Sequence, residues 1–126
     1  MKADILVVDD DMPLLRVLAL HFETEGHPVR VATGGREALA QINIRRPDVI
    51  ILDAMMPVMS GVEVLRQVRH RYGDDIKVIM LTGNPQTEPA AREAGADAFI
   101  TKPFSLPKLS AEVGRLYSDV SSQPAE

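Results

Sequence analysis

The residues of this chain with the types and spacing for chemistry are mostly carboxylates, and each falls at the end of an apolar run. Asp9-Asp10-Asp11 follows Ile5-Leu6-Val7-Val8, Asp53 follows Val49-Ile50-Ile51-Leu52, Thr82 follows Val78-Ile79-Met80-Leu81, and Lys102-Pro103 follows Ala98-Phe99-Ile100-Thr101. Carboxylates from two such ends, set side by side without compensation, raise one another's pKa and destabilise a fold. Lys102 supplies one positive charge. A divalent ion is the better match to an all-oxygen set, because Mg²⁺ takes one or two carboxylates, keeps several waters and bridges to phosphate; Mn²⁺ is expected to substitute. The same composition suits phosphoryl transfer, in which an Asp carboxylate forms an acyl phosphate while metal and lysine stabilise the transferring oxygens.

The elements that must bring these ends together are legible as alternation. Five short apolar runs, Ile5–Val8, Val29–Ala32, Val49–Leu52, Val78–Leu81 and Ala98–Thr101, are separated by longer segments of helical period. That pattern predicts an α/β fold, a flavodoxin-like doubly wound parallel sheet of five strands and five helices. The first, third and fourth runs are continuously apolar, as strands buried on both faces should be. The second opens with Pro28 and alternates, and the fifth is bracketed by Asp97 and Thr101, so both suit sheet edges. Edges at strands two and five favour the order 2-1-3-4-5, the known order of flavodoxin-like sheets, and ligands then bind beyond the carboxyl ends of strands one and three, where the order reverses.

Helix punctuation is equally readable. Leu15, Leu18 and Phe22 form the apolar stripe of the first helix, Gly26 stops it, and Asp11 before Met12-Pro13 is expected as its N-cap rather than as a metal ligand. Asp9 or Asp10, taken alone, also fits a cap. Thr33 is expected to cap the second helix and Ser105 the fifth. Ser60 and Glu63 form a capping-box pattern that starts a third helix at Gly61, to stop by Gly73. Pro85 and Pro89 leave the fourth helix about two turns, from Glu88 to Ala94. Residues 1–117 are read as one domain and 118–126 as a polar tail or linker.

Composition narrows the function classes. The 126 residues suit one domain, and 45% hydrophobic with 25% charged residues is the balance of a globular protein. No cysteine is present, which excludes disulfides and thiolate metal sites. The apolar runs are too short to span a bilayer or serve as a signal sequence, so a cytoplasmic location and no membrane partner are expected. A net charge of −4 without a basic stripe argues against direct nucleic-acid binding. His21, His27 and His70 have no metal-ligand spacing, and Met12, Met55, Met56, Met59 and Met80 read as packing.

Four segments, Ile5 to Asp11, Val49 to Gly61, Met80 to Gly83 and Ala94 to Phe104, resemble the response-regulator receiver family in order and spacing. The resemblance covers nearly the whole chain. It implies a two-component phosphorelay switch, not a turnover enzyme, that takes a phosphoryl group from a histidine kinase, a phosphotransfer protein or a small donor. It makes Asp53 the phosphoacceptor, places Asp9, Asp10 and Asp53 in an Mg²⁺ pocket, and adds the Met55 backbone carbonyl as a further metal ligand. It also implies that Thr82 bonds the phosphoryl group, that Phe99 turns inward on activation, and that Lys102 contacts the phosphate ahead of a cis Lys102–Pro103 bond. The side chains of Met55 and Asn84 would set the lifetime of the acyl phosphate, expected to be intermediate or longer. The short fourth helix departs from the family, and predicts a segment Gly83 to Pro89 that is mobile without phosphate and a domain that is monomeric or weakly dimeric. Three alternatives are a haloacid-dehalogenase-like aspartyl-phosphate phosphatase using the Asp9-x-Asp11 spacing, a flavodoxin-like nucleotide carrier, and an unphosphorylated docking module. The downstream effector is not legible.

Overall fold

The computed structural model describes residues 2–121, and side chains as far as Ser118. Five strands alternate with five helices: β1 Ile5–Val8, α1 Met12–Thr24, β2 Val29–Ala32, α2 Gly35–Ile44, β3 Val49–Asp53, α3 Gly61–Tyr72, β4 Lys77–Thr82, α4 Glu88–Ala94, β5 Ala98–Thr101 and α5 Leu106–Ser121. All four strand pairings are parallel, and the sheet order is 2-1-3-4-5 as expected. Strands β1 and β3 are buried along their full length, while β2 is largely half-exposed at its edge.

Side-chain alternation along these strands sorts the interior into two cores. Ile5, Val7, Ile51, Ile79 and Ile100 face Leu15, Leu18 and Phe22 of α1 and Leu109, Val113 and Leu116 of α5. Leu6, Val8, Ile50, Leu52 and Met80 face Ala38 and Ile42 of α2, Val64, Leu65 and Val68 of α3, and Ala91 of α4. Each fully buried Leu or Ile contributes about 1.5–3 kcal/mol, so the sheet is a rigid platform whose carboxyl edge is fixed in space.

The expected caps form at three helices. Asp11 Oδ1 accepts from the Leu14 N–H at 3.2 Å, Ser60 and Glu63 close a reciprocal capping box, and Ser105 Oγ accepts from the Lys108 N–H. The second helix differs, because its N-cap is Gly34 and no side chain caps it. Glu37 instead reaches back to the Thr33 N–H, so Thr33 is held by the helix rather than capping it. Helix α4 spans the two turns predicted and is preceded by a 3₁₀ turn at Pro85–Thr87. Helix α5 continues to Ser121, into the segment expected as a polar tail or linker. The remainder of the expected tail, residues 122–126, lies outside the described residues.

At the amino edge of the sheet the Asp4 carboxylate meets two guanidinium groups. Asp4 lies 2.9 Å from the Arg45 Nε and 3.6 Å from the Arg30 guanidinium, and its N–H donates to Asp48. Arg30 also donates to the carbonyls of Gln41 and Arg45. No helix among the described residues is long and apolar enough to cross a membrane.

Candidate acidic site at the carboxyl edge of the sheet

The register between β1 and β3 pairs Val8 with Leu52, so Asp9 and Asp53 leave the sheet as neighbours. The sheet therefore forces the two carboxylates together. Asp9 is 1% exposed and Asp53 4%, and carboxylate oxygens of Asp9, Asp10 and Asp53 lie within 4.8 Å of one another. Asp10, the following residue, is exposed at the rim.

Lys102 arrives from the end of β5, where the Lys102–Pro103 bond is cis and the Lys102 N–H donates to the Thr82 carbonyl at 2.7 Å. Its ammonium lies 3.1 Å from Asp9 Oδ2 and 3.5 Å from Asp53 Oδ1. Backbone donors hold the same carboxylates: the Asp11 N–H donates to Asp9 Oδ1 at 2.9 Å, and the Met55 N–H to Asp53 Oδ1 at 3.3 Å.

Three carboxylates face one ammonium, and burial together with this surplus charge acts on the proton affinity of Asp53. Burial, and after it the Asp9 charge, push the Asp53 carboxyl from 3.8 up to about 6, against the opposing pull of Lys102 and the Met55 N–H. For Lys102, burial depresses the pKa. Its hydrogen bond to Asp9 and the charges of Asp53 and Asp9 outweigh that, leaving it raised, so it is the pocket's fixed cation at neutral pH. An oxygen-only donor set with surplus negative charge fits a hard divalent cation.

Thr82 is fully buried at the end of β4, one position beyond Leu81, the partner of Asp53 in the sheet. Its hydroxyl oxygen accepts from the Asn84 N–H at 3.0 Å. Phe99, opposite Met80 on β5, is half-buried against the α2–α4 core. Met55 is exposed. The sheet edge thus brings Asp9, Asp10, Asp53, Lys102 and the Met55 backbone into one pocket, with Thr82 beside it and Phe99 farther back along β5. Asp11 stays at the helix cap, so the Asp9-x-Asp11 pair needed by the phosphatase alternative is not assembled there.

Two backbone features of the segment that follows Asp53 were not read from the sequence. Gly61 opens α3 so close to the Asp53 loop that a Cβ on it would fall 2.2 Å from the Asp53 carbonyl oxygen and 2.8 Å from the Ala54 Cα. Its position at the first turn of a helix, where glycine is a poor helix former, was the available signal. Val58 sits at φ 71°, spanned by a Met59 N–H to Pro57 carbonyl bond of 2.8 Å, which makes a γ-turn of the rare, strained hand. A β-branched residue gives no sequence hint of that conformation.

Comparisons with known proteins agree with this geometry. The family model of the response regulator receiver domain matches residues 5–114. The response regulator MprA of Mycolicibacterium vanbaalenii is 42% identical over 118 residues, which is 92% of this chain and 51% of that protein. The chain therefore spans about half the length of this curated relative. A CheY-like response regulator receiver domain protein of Methanospirillum hungatei superposes with a TM-score of 0.92 at 28% identity, over 98% of this chain and all of that one. NtrX of Brucella abortus, solved in complex with ATP, is similar at a TM-score of 0.88 and 32% identity, with 96% of this chain covering 28% of that one.

Proposed function

This chain belongs to the response regulator receiver domain family, and we propose that it is a phosphorylation switch whose acceptor is Asp53, loaded from a phosphohistidine or a small phosphodonor with Mg²⁺ bound. The observation that carries this reading is the under-neutralised cluster of Asp9, Asp10 and Asp53 against Lys102 at the switch point of the sheet.

The carboxylates of Asp9, Asp10 and Asp53 and the Met55 carbonyl would hold the cation. When bound, it offsets the surplus negative charge and withdraws charge from the transferring phosphoryl oxygens. Lys102 and the Met55 N–H both hold Asp53 Oδ1, which fixes the carboxylate plane and leaves Oδ2 to attack. The Oδ2–P bond forms as the donor's P–N bond breaks, and the electron pair leaves on the imidazole nitrogen. Lys102 then supports the new acyl phosphate as a point charge.

Thr82 converts loading into a change of shape. Its hydroxyl proton is available to a phosphoryl oxygen, and turning toward it gives up the bond from the Asn84 N–H. That bond heads a local chain in which Asn84 accepts from the Gln86 N–H through Oδ1 and from the Thr87 N–H and hydroxyl through its carbonyl. Exchanging it for the phosphoryl bond lets the segment 83–87 rearrange and settle around the loaded site, and Phe99 fills inward behind it. The apolar groove of Leu14, Val17, Pro103, Phe104 and Leu106 adjoins Lys102 and suits the surface around a donor histidine on a sensor kinase or phosphotransfer protein. Met55, exposed and apolar, does not orient water, so the acyl phosphate is expected to persist for an intermediate or longer time. In this reading the domain works in the cytoplasm, signals to a separate effector, and is monomeric or weakly dimeric because α4 is short.

Mass spectrometry after incubation with acetyl phosphate tests the proposal. One phosphoryl group is expected with Mg²⁺ and none after chelation or in Asp53→Asn. Full labelling of Asp53→Asn, or labelling indifferent to chelation, contradicts it.

A further inference from the structure

Helix α4 is held very differently at its two ends. Ahead of it, Gly83 to Gln86 are exposed, and the polar contacts at Asn84, Gln86 and Thr87 are all to neighbours within three residues. Behind it stands Arg69 of α3, whose side chain is 13% exposed. Its guanidinium donates to the Gly95 carbonyl at 2.9 and 3.0 Å, to Asp97 Oδ2 at 2.7 Å, and to the carbonyls of Gly73 and Ile76 at 2.8 and 2.6 Å. Asp97 is locked in turn to β4, since its Oδ2 accepts from the Val78 N–H at 2.8 Å and its own N–H donates to the Val78 carbonyl at 2.9 Å.

One planar cation thus joins the end of α3, the entry to β4 and the turn from α4 into β5. Charge-assisted bonds of this kind are the strong ones, and the fork geometry of arginine sets direction as well as energy. Gly95 completes the joint: at φ 106° it adopts the left-handed form that favours glycine, and a Cβ there would stand 3.0 Å from the Arg69 Nε. Ala91, the middle and one buried residue of α4, accepts through its carbonyl from the Ala96 N–H, which ties the helix to this joint.

We propose that Arg69 is a positioning residue that makes Gly95–Asp97 the fixed pivot of α4, so that switching swings residues 83–91 about that point instead of displacing the whole helix. The proposal rests on the phosphoacceptor reading and goes beyond it, in assigning which end moves and which residue decides it. With Arg69 in place, loosening at Thr82 is confined to the amino end of α4. Without it, the same disturbance runs through Gly95 into β5.

Hydrogen exchange on the full chain, with and without beryllofluoride and Mg²⁺ as the phosphoryl mimic, tests this in the wild type, Arg69→Gln and Arg69→Lys. In the wild type, exchange at 83–91 should change on adding the mimic while residues 95–98 change by less than about twofold. Both variants should exchange at least about tenfold faster at 95–98 in the free state, and there alone should become sensitive to the mimic. Lysine keeps the charge and stem but not the fork, so its failure to restore the pattern separates positioning from simple charge or packing. A wild type in which 95–98 responds as strongly as 83–91 overturns the pivot, as does either variant with unchanged exchange at 95–98. If residues 53–55 are also indifferent to the mimic in the wild type, the phosphoacceptor reading has failed and the pivot with it; a response at 53–55 isolates the failure to the pivot.

Discussion

Both edges of the sheet carry buried or half-buried carboxylates at strand ends, and they are treated in opposite ways. At the amino edge, Asp4 meets both Arg30 and Arg45, and Asp48 accepts from the Asp4 N–H, so the charge of Asp4 is matched. At the carboxyl edge, Asp9 and Asp53 share the ammonium of Lys102 and one backbone donor each, Asp10 adds a third carboxylate, and burial together with the Asp9 charge pushes Asp53 up to about 6. An interior charge that only holds structure is paired where it stands, because leaving it unpaired costs several kcal/mol (about 3–5 when a partner is removed). A surplus tolerated in a rigid pocket marks a place built to receive something cationic. The amino edge closes the fold, and the carboxyl edge keeps it chemically open.

Substitutions can break or sharpen that contrast. The largest effect on stability is expected at Gly61, where a methyl group must push into the Asp53 carbonyl and the Ala54 Cα. Gly61→Ala should cost about 2–3 kcal/mol by denaturant unfolding and should also weaken Mg²⁺ binding, since the loop carrying Met55 must shift. An alanine variant with native stability and metal affinity would mean that the close approach does not shape the pocket.

A smaller loss is expected at the balanced edge. Asp4→Asn removes the partner of Arg45 and Arg30 and should lower stability by about 1–2 kcal/mol, discounted because Arg45 is half-exposed, with Mg²⁺ binding unchanged. A gain in stability there would erase the distinction between the edges.

The smallest pair sits within one triplet. Asp10→Ala should weaken Mg²⁺ binding about tenfold by calorimetric titration, or about 1.4 kcal/mol. Asp11→Ala should leave it nearly intact and cost about 1 kcal/mol of stability through the lost cap on α1. Equal losses of metal affinity at the two positions would refute this division.

What the sequence made legible follows the same contrast. Asp9, Asp53, Thr82 and Lys102 could be found because strand ends are visible as the ends of apolar runs, and a parallel sheet brings those ends to one edge. The short α4 was legible because proline acts locally. Thr33 was misplaced because the competing partner, Glu37, lies four residues on, and a glycine took the cap. Arg69 and Gly61 were missed for a common reason: each owes its role to backbone brought close by tertiary packing, which no local pattern encodes.

The central claim, that Asp53 sits in a pocket short of positive charge, is tested most directly by the pH dependence of stability without metal. Because its folded pKa of about 6 lies above the 3.8 of the unfolded chain, the folded state takes up the proton first as pH falls. The stabilising contribution of that proton is complete below 3.8 and is lost as pH rises through about 6. Asp53→Asn removes the charge, so relative to wild type it should gain stability above pH 6, by at most about 3 kcal/mol at roughly 1.4 kcal/mol per pH unit, and the gain should vanish near pH 4. Chemical denaturation of both proteins in chelator from pH 4 to 8 reads this difference. A variant that is less stable than wild type at pH 7.5, or whose advantage is independent of pH, would contradict the account.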